Sequence, residues 1–356
     1  ARPGAYAPAA LLLIAAGLVS TVAADYPRLA LRELRTLVVE PALFALAARS
    51  ALRGPRDGLL LAAWFLVGAA AASTLALVQT VRGQGLVAAE GVARAAALYR
   101  SPNNLALLLD RALPLAAAGA ILLSRPARWF FVVAAALCAA ALFFSFSRGA
   151  WLATGLSLAI IAAPAMRHQF RRHTRLATLA AVLVPTALAG AAVLALRVER
   201  FRSLFSAAGT GFLRVHLWTA SVRMALDHAL LGVGLDQFLY HYPRYMLPEA
   251  WREPNLSHPH QLVLDFWLRL GLLGLAALLA MCVTFVRQQR YHLHTPAARA
   301  LGRGALGAAV ALVTHGLVDN SYFLIDLAYA TWIVLLLSEL AIEREPRRAQ
   351  VVPWQH

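Results

Sequence analysis

The residues best suited to chemistry stand in one short stretch, Ser257-His258-Pro259-His260, directly ahead of a long apolar run. Histidine changes charge near neutral pH, so at the mouth of a cavity it serves as a general base or a proton relay. The i, i+2 spacing across a proline does not put both rings on one helical face. No His, Cys, Asp or Glu stands nearby at ligand spacing, which argues against zinc. A lone histidine at a helix start is usually a plain polar residue, and the pair by itself leaves both readings open.

The second kind of chemistry is anion binding. Arg148 lies in Phe146-Ser147-Arg148-Gly149, in a very short link between two apolar runs. A hydroxyl, a guanidinium and a flexible backbone near a helix start make a phosphate site, but a cation there also serves as a snorkelling anchor. Arg214 and Arg223 fall in an amphipathic stretch, 212–230, whose apolar stripe is Leu213, Leu217, Ala220, Met224 and Ala225. Arg214, Trp218, Ser221 and Arg223 cluster elsewhere on it. Such a helix either lies on anionic lipid or points arginines into a cavity. Gly232-Val233-Gly234 lacks a strand–helix context and reads as a turn closing that helix.

Further polar residues interrupt the apolar runs: Glu40, Asp110-Arg111, Asp265 with Arg269, and His315 with Asp319. Ionisable groups in such runs face a bundle interior or a site rather than lipid. Asp265 and Arg269 are i, i+4 and read as a structural pair. His315 and Asp319 have the same spacing near the end of their run, where both could line the cavity of the histidines. Asn103 and Asn104, after Ser101-Pro102, read as caps of a new helix.

The elements that must position these residues are membrane helices. The 356 residues are 60% hydrophobic and 14% charged, with mean hydropathy +0.64, which excludes an ordinary soluble domain. Net charge is +16, and every Lys+Arg position is Arg. The two cysteines, Cys138 and Cys282, sit in apolar runs and imply neither disulfide nor metal.

Apolar runs of spanning length occur near 8–24, 36–51, 59–79, 104–123, 129–146, 150–166, 176–196, 261–286, 300–319 and 322–342, ten in all. The run at 36–51 carries Glu40-Pro41 and reads as tilted or broken. Arginines in alternate connections, such as Arg53, Arg56, Arg125, Arg128, Arg287 and Arg290, place those connections in the cytoplasm together. The other face then receives 81–103, 145–149, the long loop 197–260 and 320–321. Arg28, Arg32 and Arg35 on that face break the rule. The expectation is an all-α polytopic bundle, one integral membrane domain over 1–356, whose extracytoplasmic loop 197–260 contains short helices and part of the site. The chain starts at Ala with no leader before its first run, and reads as lacking a preceding helix or two.

In order along the chain, Ser101-Pro-Asn-Asn with Leu113-Pro114, Ser147-Arg148-Gly149-Ala150, Arg214 with Trp218, Leu231-Gly-Val-Gly234, His258-Pro-His260 with Gly271 and Gly274, and His315 with Asp319 resemble the O-antigen ligase/O-antigen polymerase superfamily of bacterial envelope proteins. The resemblance runs from about residue 100 to 340. It implies a GT-C-like helical-bundle glycosyltransferase of the bacterial inner membrane with its site on the extracytoplasmic face. The expected partners are a polyprenyl-pyrophosphate-linked glycan, a glycolipid or other envelope acceptor, and the bilayer, with no nucleic acid, no metal and no cofactor. By motif, Arg148 and Arg214 would hold the pyrophosphate, with Arg223 assisting, and His260 would activate or orient the acceptor hydroxyl. His258 and Asp319 would orient or relay, and Asn103 would support them. Gln261 stands where relatives often carry Asn, Arg269 where they are often acidic, and ten runs are visible where twelve are usual. A polymerase of the same superfamily is the nearest alternative. A small-anion transporter using Glu40, Asp110 and His315 is the alternative from another class, disfavoured by the one-sided polar groups and the lack of an internal repeat.

Overall fold

Hydrocarbon offers no partner to a backbone amide, so runs of Ala and Leu that leave water close their hydrogen bonds as helices. A computed structural model describes residues 4–89, 91–172, 210–250 and 254–342, and helix dominates them. The helices are α1 (Ala7–Val22), α2 (Pro27–Glu33), α3 (Glu40–Ala51), α4 (Pro55–Arg82), α5 (Pro102–Leu122), α6 (Ala127–Phe144), α7 (Arg148–Arg172), α8 (Thr210–Asp227), α9 (Phe238–Tyr245), α10 (Leu262–Gln288), α11 (Pro296–Gly316) and α12 (Ile325–Leu340). A two-stranded antiparallel hairpin, β1 (Val87–Ala89) and β2 (Val92–Arg94), precedes α5.

Among the described residues, α4, α5, α6 and α10 are long and apolar enough to cross a membrane, while α1 and the first part of α7 are shorter apolar helices. The run at 176–196 lies outside the described residues, as do 197–209 and 251–253 of the long loop. The described part of that loop is built of α8, α9 and a 3-10 turn at Pro248–Ala250. The run at 36–51 forms neither a clean span nor a break. A π-helical segment, Leu34–Val39, joins α2 to α3. The wide turn falls just before Pro41, which has no amide to donate back along the helix.

Proline opens α4, α5 and α11, where its missing N–H costs nothing. Ser101, Gln261 and Thr295 cap α5, α10 and α11 by accepting a backbone N–H. Packing centres on α11, which α5, α7 and α12 surround. Its small residues allow the close approach: a Cβ on Gly307 would meet Ile161 at 2.5 Å and Pro114 at 2.8 Å. α10 stands apart from this group, packed mainly on α1 and α8.

The connections gather at two ends of these helices. Residues 53–57, Leu123, Ser124, Ala127 and 295–297 line one depression of about 670 Å³. At the other end Tyr26 meets Gln237, Arg32 meets Asp236, and the segments before α5, α7, α10 and α12 converge. Arg269 anchors that end. Its guanidinium donates to Glu33, to Asp265 at 2.7 Å and to the Ser257 carbonyl at 3.3 Å, and it lies over the Phe323 ring. The structural pairing of Asp265 with Arg269 holds and extends to Glu33.

One crossing explains the glycines around the loop. Gly271 interrupts α10 at φ 63°, ψ −157°, a region that belongs to glycine. There the Leu272 amide donates to the Leu230 carbonyl at 3.1 Å, and a Cβ on Gly271 would lie 2.1 Å from that oxygen. Gly232, at φ 72°, faces the Leu268 carbonyl in the same way, so the Gly232–Gly234 turn is structural. Gly271→Ala is expected to destabilise the fold by about 1–3 kcal/mol, read as a thermal midpoint lowered by several degrees in detergent. An unchanged midpoint would show that the two segments do not approach so closely.

Candidate active site

The site is built around Asp319. The Asn320 side chain accepts from the amides of Tyr322 (3.3 Å) and Phe323 (3.1 Å), which shapes the turn between α11 and α12. That turn holds Asp319 buried among donors from separate segments. Its Oδ1 accepts from the Asn320 amide at 2.9 Å and faces His260 Nδ1 at 2.7 Å. Its Oδ2 accepts from Asn103 Nδ2 at 2.9 Å and lies 3.6 Å from the Arg214 guanidinium. Burial alone would raise its pKa. The hydrogen bond and charge of His260, with Arg214 and His315, outweigh that and hold the carboxyl well below the usual range. Asp319 is therefore a carboxylate at neutral pH.

His260 sits at φ 51°, a left-handed conformation uncommon for a side-chain-bearing residue and found where surroundings enforce it. Two donors hold the loop in place: Trp218 Nε1 binds the Pro259 carbonyl at 3.1 Å, and Arg269 binds that of Ser257. Against a carboxylate Nδ1 is the donor nitrogen, so Nε2 is the atom turned toward a substrate and the one that would take a proton from it. His258 packs its ring 4.2 Å from that of His260, with Nδ1 3.0 Å from Ser257 Oγ. Burial, reinforced by the neighbouring His260, pushes the His258 imidazole well below its ordinary value, so it is neutral.

Asn103 is not a cap. Ser101 takes that role, accepting from the Asn103 amide at 3.2 Å, because Pro102 opens the helix. This frees the Asn103 side chain to bridge Asp319 and a residue the sequence reading passed over, Arg94. Arg94, buried on β2, donates through Nε to the Ser145 carbonyl at 2.8 Å and through its terminal nitrogen to Asn103 Oδ1 at 2.6 Å. A guanidinium on Oδ1 fixes which end of the amide faces Asp319. The sequence offered one signal for it: an arginine in the connection that carries Asn103.

Arg148 opens α7 one residue after Ser147, in the link whose Ser145 carbonyl binds Arg94. Gly149 lies against His315, and a Cβ there would fall 2.7 Å from the imidazole Cδ2. His315 does not join Asp319 as a cavity pair. The last turn of α11 faces α5, and His315 Nδ1 meets Asp110 Oδ2 at 2.6 Å in a buried cluster that Arg111 ties to Ser321. The structure brings Arg214 to Asp319 but does not bring Arg223 there. Nine residues on, at about 100° per residue, Arg223 projects from the opposite face of α8 and is exposed.

His258, His260 and Asp319 offer donor atoms all within 4.8 Å of one another, a trio the local spacing could not reveal because Asp319 is 59 residues from His260. The donor set fits a histidine–carboxylate pair better than a metal. Both oxygens of Asp319 already accept hydrogen bonds, and Arg214 brings a competing cation to the same carboxylate. What the arrangement offers is an oriented base beside guanidinium groups suited to an anion.

In ¹⁵N spectra of His-labelled protein, recorded where the imidazole is neutral, His260 is expected as the Nδ1–H tautomer. Asp319→Asn should shift it toward a mixture or toward Nε2–H, and Arg94→Ala should do so more weakly. A tautomer indifferent to Asp319→Asn would break the pairing.

Residues 133–279 match the family model described as O-antigen ligase. The match takes in Arg148, Arg214, His258 and His260, while Arg94, Asn103 and Asp319 lie outside it. No curated protein matches the chain.

Proposed function

From the match of residues 133–279 to the O-antigen ligase family model, we propose that the chain transfers a glycan from a polyprenyl-pyrophosphate lipid to an envelope acceptor, without a metal, at the extracytoplasmic face of the bacterial inner membrane. The observation that carries this reading is the His260–Asp319 pair with Arg214 on the same carboxylate. A base and a cation stand together, as displacement of a pyrophosphate by a hydroxyl requires.

The acceptor oxygen attacks the anomeric carbon while His260 Nε2 takes its proton. The bond from that carbon to the pyrophosphate oxygen breaks, and the lipid pyrophosphate leaves with the electron pair. Arg214 and Arg148 meet the developing charge. Asp319 stabilises the imidazolium, as a carboxylate does behind any histidine base. A single displacement inverts the sugar. The pyrophosphate is already a good leaving group, so no cofactor is required. Arg53, Arg56 and Asp57 around the depression at the far end fit the arginine-rich cytoplasmic side.

The test is transfer by the purified full chain in nanodiscs, from an undecaprenyl-pyrophosphate glycan to envelope glycolipid, with EDTA present. His260→Ala should lower kcat by about 10²–10⁴. Arg214→Lys should not restore what Arg214→Ala loses, because a lysine lacks the planar fork. Arg223→Ala should remain close to wild type. Full transfer by His260→Ala, or loss of wild-type transfer in EDTA that zinc or magnesium restores, would overturn the mechanism. Products that grow on the lipid rather than move to glycolipid would make the chain a polymerase of the same family.

A further inference from the structure

Two buried groups have no part in the chemistry proposed above, Asp110 and His315. Asp110 is wholly buried and His315 is 2% exposed. Burying such groups is costly, and their contacts join segments far apart in the chain. Asp110 Oδ2 meets His315 Nδ1 at 2.6 Å, and its Oδ1 accepts from Arg111 at 3.2 Å. Arg111 in turn donates to the carbonyl and the hydroxyl of Ser321, both at 2.6 Å, in the turn that follows Asp319. With Nδ1 held by Asp110, the opposite edge of the His315 ring lies against Gly149.

Gly149 gives that edge a task. It stands in the first turn of α7 with helical backbone, where alanine is the better helix former. Its missing side chain therefore answers to its neighbour: a Cβ would fall 2.7 Å from the His315 Cδ2 and 2.9 Å from Nε2. The ring has little room to yield, because Asp110 holds its far side. Four residues earlier the same link is held again, where Arg94 binds the Ser145 carbonyl at 2.8 Å. Between these points Phe146 turns the chain at φ 48°, and the Ser147 amide donates to Ser145 Oγ at 3.3 Å. The backbone of Arg148 thus stands between two supports, and both lead to the turn of Asp319. One runs from Arg94 through Asn103, the other from His315 through Asp110, Arg111 and Ser321.

On the function given above, we propose that His315, oriented by Asp110, is a positioning residue for Arg148. Its ring sets how closely the start of α7 approaches the turn of Asp319, and so where the Arg148 guanidinium meets a pyrophosphate. Guanidinium recognition of phosphate oxygens is directional, and a displacement of about 1 Å at a reacting centre is enough to cost much of the rate. His315 touches no substrate in this scheme. Glycine at 149 and histidine at 315 are one device, the first making room for the second.

The experiment is a double-mutant cycle between Gly149→Ala and His315→Asn in the full chain in nanodiscs. Asparagine keeps a nitrogen for Asp110 and lacks the ring edge that faces Gly149. The readouts are the Kd for inorganic pyrophosphate, which needs no turnover, and the donor KM and kcat for transfer. Gly149→Ala alone should raise the Kd and the donor KM about tenfold, with kcat nearly unchanged. In the His315→Asn background the same alanine should alter both by no more than about twofold, because it enters space the ring has left. His315→Ala in place of His315→Asn should give the same relief, which keeps the cycle readable if either variant folds poorly. In an Arg148→Ala background, Gly149→Ala should leave the Kd where it is, since no guanidinium remains to be misplaced. An equal effect of Gly149→Ala in all three backgrounds would overturn the proposal. A fall in kcat with Kd and KM unchanged would overturn it too, by putting His315 in the chemistry itself. If the wild type transfers no glycan while pyrophosphate binding shows the expected coupling, the transfer reading fails and the positioning of Arg148 stands.

Discussion

Removing a carboxylate from water costs several kcal/mol unless donors replace the water, and Asp319 is buried in a protein whose surroundings are mostly hydrocarbon. Every segment that reaches it is constrained by that need. Asn103 arrives from the start of α5, His260 from the loop before α10, Arg214 from α8, and the Asn320 amide from its own turn. These segments are far apart in sequence, and the shared carboxylate fixes their separation. The same ion orients the imidazole, because a histidine held by Nδ1 presents Nε2.

Around this centre the protein uses rigid supports. Arg94 orients Asn103 and also holds the Ser145 carbonyl in the link that leads to Arg148. The link that leads to Arg148 is thus coupled to His260 through three side chains, Arg94, Asn103 and Asp319. Arg269 performs a parallel task beneath the histidine loop, where Glu33 and Asp265 balance its charge while it holds Ser257. A buried guanidinium with two carboxylates is costly to break, so the loop conformation, including the left-handed His260, is well defended. The crossing at Gly232 and Gly271 lets the segment after α8 lie directly on α10, which is how α8 brings Arg214 and Trp218 over the histidines.

The helices supply a lipid-facing frame, and its asymmetry has consequences. α11 is embedded among α5, α7 and α12 through small residues, while α10 keeps to α1 and α8. The gap between these two groups is lined almost wholly by apolar side chains.

The sequence by itself determined the helical class, the apolar runs, the structural pairing of Asp265 with Arg269, and the residue types of the site. Those follow from local periodicity and from the cost of polar groups in hydrocarbon, which one chain segment expresses alone. Its ordering of motifs pointed to the family that residues 133–279 match. Contact between segments was decided by tertiary structure. The spacing of His258 and His260 excluded a third partner nearby, yet Asp319 meets them from 59 residues away. Asn103 read as a cap until Ser101 took that place and Arg94 claimed its side chain. His315, at i, i+4 from Asp319, turned instead to Asp110 on α5. Arg214 and Arg223, grouped in one amphipathic stretch, stand nine residues apart and so on opposite faces of α8, and packing decided which of those faces meets the turn after α11. In each case the deciding quantity is which helix faces which, a property of packing that no single stretch of sequence carries.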